Sequence, residues 1–173
     1  MSPELYGWLI GAVAAGMAVA GWPVHGGGAP RSWPSLIGLG GLIGALLAVG
    51  VESGTLLRHA IQVAPATVAL ALVARHSSHG RAAALPILLF WTALMLTIWR
   101  YLFGMTRIIG GQFTAVEISL TVIIAMACVA GLAGGPRPTA ALPAWRRAAT
   151  AGVFGALQLA ALWVSMQPFA SGR

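Results

Sequence analysis

The sequence predicts an all-α polytopic membrane protein, a bundle of six transmembrane helices in a single integral membrane domain over residues 1–173. Three observations carry that expectation. Apolar stretches recur at approximately 5–22, 35–51, 55–74, 82–103, 113–133 and 148–168. Each is near the roughly 20 residues a helix needs to cross a hydrocarbon core of about 30 Å. The chain is 58% hydrophobic and 8% charged, with mean hydropathy +0.86, which excludes an ordinary soluble globular class. Finally, the segments between the stretches are short and leave no room for a second soluble domain.

The first stretch, 5–22, lacks the basic leader of a secretory signal, since Pro3 and Glu4 stand where positive charge is expected. Although Ala18-Val19-Ala20 resembles a small-residue cleavage site, the stretch is read as a retained helix. Its Ala12, Gly16 and Ala20 recur every four residues, a spacing that lets another backbone approach closely. In the second stretch Gly40 and Gly44 repeat that spacing, with Gly38, Gly41 and Gly50 beside them. Two uses fit these small-residue faces: tight packing within the chain, or an interface with a second copy or a partner membrane subunit through helices one and two.

The connection Val51-Glu52-Ser53-Gly54 is very short, so the second and third helices are expected to be antiparallel neighbours. Pro65 falls inside the third helix and Pro86 near the start of the fourth. A proline ring removes one backbone bond and obstructs another. A kink at Pro65 should therefore free a carbonyl near Ile61, for neighbours to satisfy. Between the fifth and sixth helices, Gly134-Gly135-Pro136-Arg137-Pro138 and the run to Pro143 read as an irregular linker. Trp8, Trp22, Trp33, Trp99 and Trp145 lie near expected helix ends, as an interfacial aromatic belt requires. The segment 60–64 resembles 156–160, but the flanking helices do not align at that offset, so the likeness is read as coincidence.

Arginine placement orients the bundle. Loops after the first, third and fifth helices hold Arg31, Arg75, Arg81, Arg137, Arg146 and Arg147; the other side holds Arg58, Arg107 and Arg173, with Arg100 near a helix end. The excess puts the first set in the cytoplasm and both termini outside, in a bacterial inner membrane. The +7 net charge is scattered, without a basic run or interleaved aromatics. It therefore points to membrane lipids as partners, not nucleic acid.

Chemistry has few residues to work with. The sequence contains no Asp, Asn or Lys, only three Glu, four His and one Cys. Glu117 sits about four residues into the fifth helix, roughly 6 Å along its axis. An ionised group at the bilayer centre costs on the order of 3 kcal/mol, less near the interface, so Glu117 is expected to pair, face a wet cavity or be protonated. Thr114, Glu117, Thr121 and Cys128 share one side of that helix. At the same bilayer face the topology places Arg58, His59 and Gln62 of the third helix, Arg100 and Tyr101 of the fourth, Arg107 of the following loop, and Glu52. These eight residues, Glu117 included, are the candidate ligand-binding set. The bland alternative is an ion pair of Glu117 with Arg100 or Arg107 that fixes two helices.

Other chemistries fit less well. His59 and His76 are 17 residues apart on one helix, about 25 Å, too far to ligate one haem. His25, His76 and His79 share the other face as weak metal candidates, so no metal site, cofactor or catalytic set is assigned. Neither Ser53 nor Ser119 lies in a nucleophile-elbow pattern, and Gly26-Gly27-Gly28 lacks the Lys and hydroxyl residue of a phosphate loop. The leading expectation is a non-enzymatic membrane protein that binds a lipid or small amphipathic or anionic ligand, as an accessory subunit. The alternatives are a small-solute or proton-coupled transporter, and a membrane enzyme acting on a lipid or isoprenoid with His59 and Glu117 as acid and base.

Overall fold

A computed structural model describes residues 33–105, 113–133 and 142–170. The stretch expected at 5–22 and Arg107 lie outside the described residues. Five helices follow in order: α1 (Trp33–Glu52), α2 (Leu56–Ala74), α3 (Gly80–Leu102), α4 (Ala115–Ala133) and α5 (Ala144–Ser165), then a short 3-10 turn, Pro168–Ala170. All five are long and apolar enough to cross a membrane, and the described residues contain no strand. Among the described residues, five of the six expected helices are seen.

The ends of α1, α3 and α5 share one side of the bundle with the starts of α2 and α4, here the Glu52 side. The opposite, His79 side carries the starts of α1, α3 and α5. Helix α3 touches all four others, α1 packs on α2 and α4, and α5 lies against α2 and α3. Thus α3 and α5 run parallel: His79 meets Thr150 near their starts, and Pro86 lies beside Gly155 about two turns further in. Leu39, Leu42, Ile87, Leu88, Ile124 and Phe154 are fully enclosed between the helices.

Lipid tails are as apolar as leucine, so these helices are held by close packing and not by an expulsion of water. The tightest place is the crossing of α1 and α4. A Cβ added to Gly38 would stand 2.7 Å from both the Ala127 carbonyl oxygen and the Gly131 nitrogen. On Gly131 it would stand 2.7 Å from a Leu88 methyl of α3. Gly41 lies one turn on, with Ala127 beside it. The face that packs is therefore Gly38, Gly41, Leu42 and Ala45. Gly40 and Gly44, prominent in the sequence for their spacing, point away from it into open space. At about 100° per residue, Gly40 lies roughly 200° around the helix from Gly38.

Three helices end in the same way. After α1, Thr55 N–H reaches the Gly50 carbonyl and Gly54 N–H the Val51 carbonyl; after α3, Met105 and Gly104 do the same with Arg100 and Tyr101. This is the Schellman arrangement, which needs a left-handed residue at its corner. Gly54 and Gly104 supply it with φ of 66° and 72°. After α2 the corner falls on His76, φ 56°, with Ser77 N–H bonded to the Leu72 carbonyl.

Two variants separate the packed glycine from its exposed neighbour. Gly38→Ala should lower stability by about 1–3 kcal/mol, because its methyl group meets backbone that cannot move aside. Gly44→Ala should be neutral or stabilising by up to about 1 kcal/mol, through helix propensity alone. Thermal unfolding in detergent micelles reads both.

Candidate functional site

The short α1–α2 connection sets up a chain of hydroxyls that ends on His59. Ser53 Oγ donates to the Val49 carbonyl at 2.7 Å, so its contact with Thr55 Oγ1 at 2.6 Å is one in which Thr55 donates. His59 Nδ1 lies 3.1 Å from Thr55 Oγ1 and 3.1 Å from the Thr55 carbonyl. A carbonyl only accepts, so Nδ1 carries the hydrogen and Nε2 is the acceptor nitrogen of the neutral ring. Gly50 allows this arrangement: a Cβ there would come within 3.0 Å of His59 Cβ and Leu56 Cα.

Gln62 follows His59 by three residues, on the same side of α2. It is 4% exposed, and its Nε2 donates to Ser165 Oγ at 2.9 Å; Ser165 donates in turn to the Leu162 carbonyl. From α5, Gln158 Nε2 donates to the Gln62 carbonyl at 3.3 Å, one residue past the carbonyl that Pro65 deprives of its usual donor. The two similar segments of the sequence, 60–64 and 156–160, thus touch at their glutamines. Gln158 Oε1 is buried without a hydrogen-bond partner.

Glu117 has a local role. Its Oε2 accepts the Thr114 N–H at 2.8 Å, while Thr114 Oγ1 accepts the Glu117 N–H at 3.1 Å. This reciprocal capping box closes the first turn of α4 and places a negative charge at the positive end of the helix. The signal is present in the sequence as Thr114-Ala115-Val116-Glu117 ahead of an apolar run, a pattern that marks a helix start and not an ion pair between helices.

The other candidates divide. The Tyr101 ring meets Phe113 at 6.1 Å, tying the end of α3 to the approach to α4. Arg100 and Glu52 are exposed at helix ends, and Arg58 is half-buried in the first turn of α2. Two donors at this level of the bundle, Arg58 Nε and Trp99 Nε1, are buried without hydrogen-bond partners. The structure therefore joins His59 to the Ser53–Thr55 turn and Gln62 to α5. Gln158, Ser165 and Trp99 are residues the sequence reading did not select. Glutamines in apolar helices were the available signal for Gln158; nothing local marks Ser165.

On the His79 side, Thr150 Oγ1 donates to the Arg146 carbonyl at 2.9 Å and lies 2.8 Å from His79 Nδ1, which must then be the donor. Burial, and secondarily the Arg146 charge, hold the His79 imidazole below its usual 6.5. Among the described residues no group of three His, Cys, Asp or Glu could hold a metal ion.

The fold thus defines a class, an all-α bundle of apolar helices compatible with an integral membrane protein. No family model matches the chain, and neither the curated proteins nor the solved structures compared with it give a match.

Thr114→Ala should cost about 1 kcal/mol as a lost N-cap. Glu117→Gln, which preserves the capping box, should stay within about 0.5 kcal/mol of the parent in the same unfolding measurement. Arg146→Gln should raise the His79 pKa only part of the way to 6.5, because burial is the larger cause; proton titration followed by NMR in micelles reads it. With the folded value depressed, stability from His79 is complete above pH 6.5 and falls as pH drops from there toward the folded pKa.

Proposed function

We propose that the protein is a non-enzymatic membrane component that binds the anionic headgroup of a lipid or small amphipathic molecule at its Glu52 side. The observation that carries this reading is the Arg58 Nε–H, buried without a partner in the first turn of a membrane-spanning helix. A guanidinium so placed is costly unless an acceptor meets it, and a phosphate or carboxylate supplies one in bidentate geometry. Trp99 Nε1 offers a second donor at a similar depth on α3. His59, held by Thr55, and the exposed Arg100 add polar groups at the same side. Gln62 and Tyr101 act on this reading as supports, one through Ser165 and the other through Phe113. An acid–base role for Glu117 has less behind it, since its carboxylate accepts from the Thr114 amide.

A second reading, transport of a small solute, draws on one observation. The bonds of Gln62 with Ser165 and with Gln158 place hydrogen-bonding groups inside the bundle with an acceptor, Gln158 Oε1, left over. Orphan acceptors in an apolar interior take up water or a hydroxylated solute.

Arg58→Ala should weaken retention of an anionic phospholipid about tenfold or more, the equivalent of one charge-assisted hydrogen bond. Arg58→Lys should restore only part of it. Native mass spectrometry of the protein with phosphatidylglycerol reads the bound fraction. Equal retention by the parent and Arg58→Ala would remove the reading.

A further inference from the structure

The His79 side holds a cleft of about 230 Å³ between the starts of α3 and α5. Its polar rim is His79, Arg146 and Thr150, and its apolar wall is Trp145, Val153 and Phe154. We propose that this cleft binds a phosphate ester, the headgroup of an anionic phospholipid, with the first part of an acyl chain along the apolar wall. The site is separate from Arg58, at the other end of the bundle.

Charge is the first argument. Among the described residues this side carries Arg75, Arg81, Arg146 and Arg147, whereas both described acids, Glu52 and Glu117, lie at the opposite side. Among the described residues no acid on that side competes with an incoming anion. Preorganisation is the second. The Arg146 guanidinium carbon stands over the Trp145 ring, 5.1 Å from its centroid, a cation–π contact that holds the charge beside the cleft, where its N–H groups suit phosphate oxygens. His79 is fixed through Thr150, whose hydroxyl is itself fixed by the Arg146 carbonyl. These bonds occupy the Thr150 hydroxyl and His79 Nδ1 hydrogens and fix both side chains beside the cleft, so the Arg146 guanidinium is the donor that meets a phosphate there.

Shape selects the source of the phosphate. The lining residues run along α5 from Trp145 to Phe154, about 13 Å of helix, with Trp145, Arg146 and Thr150 in the first two turns and the wholly apolar Val153 and Phe154 toward the bilayer interior. Free phosphate would use only the rim. A phospholipid would use the whole length, with its headgroup at the interface where Trp and Arg belong.

Native mass spectrometry with phosphatidylglycerol, phosphatidylcholine and inorganic phosphate tests the proposal. The expected result is retention of phosphatidylglycerol over phosphatidylcholine, about tenfold weaker binding for Arg146→Ala, and no change for Arg147→Ala, which carries the adjacent charge outside the cleft. Val153→Trp, which obstructs the apolar wall, should displace the lipid as well. Equal losses in Arg146→Ala and Arg147→Ala would overturn the site in favour of diffuse attraction. Inorganic phosphate bound as tightly as phosphatidylglycerol, with Val153→Trp unaffected, would overturn the lipid assignment. Lipid lost by Arg58→Ala but kept by Arg146→Ala refutes this site alone, and the reverse pattern refutes only the Arg58 reading.

Discussion

Where the backbones of α1 and α4 meet at Gly38 and Gly131, the fit leaves no space for even one methyl group on Gly38, and Leu88 of α3 closes over the crossing. Much else follows from that contact. Inside a bilayer, apolar side chains gain little by leaving lipid for one another, so the close approach of smooth helix surfaces has to hold the bundle together. With α1 fixed on α4, and Gly50 letting α2 close against α1 at His59, α3 is enclosed on several sides and α5 lies along the α2–α3 face.

Polar groups in such a bundle need partners from the protein itself. Most hydroxyls bond back to their own helix, as Thr67 does to the Val63 carbonyl and Thr92 to Leu88. Glu117 and Thr114 satisfy each other across one turn. The Gln62, Gln158 and Ser165 contacts are different in kind, because they link α2 to α5 across a long separation in sequence and anchor the helix next to the Pro65 interruption. Against that background the buried side-chain atoms without partners among the described residues are few, namely Arg58 Nε, Trp91 Nε1, Trp99 Nε1 and Gln158 Oε1. Their scarcity gives them weight as places for a ligand or water.

The two ends of the bundle differ in charge. Both described acids sit at the Glu52 side, together with Arg58 and Arg100, while the His79 side is purely basic among the described residues. A one-sided excess of arginine at the end of an apolar bundle raises the local positive potential, to which anionic groups are drawn.

The sequence by itself determined the helices. The stretches expected at 35–51, 55–74, 82–103 and 113–133 appear as Trp33–Glu52, Leu56–Ala74, Gly80–Leu102 and Ala115–Ala133. The cost of placing a residue in hydrocarbon is local and can be summed along the chain. The last helix, expected at 148–168, instead runs Ala144–Ser165: Pro143 sets its start, and its first turn carries Arg146 and Arg147 at the water boundary, where hydropathy alone gives no signal. Glu117 was legible as a capping residue, because that bond too is local. Tertiary structure alone decided which glycines face a neighbour, Gly38 and Gly41 and not Gly40 and Gly44, and that Gln62 meets Ser165 and Gln158. Those outcomes depend on how each helix is rotated about its axis, and rotation is set by the fit of several surfaces at once, which no single stretch of sequence contains.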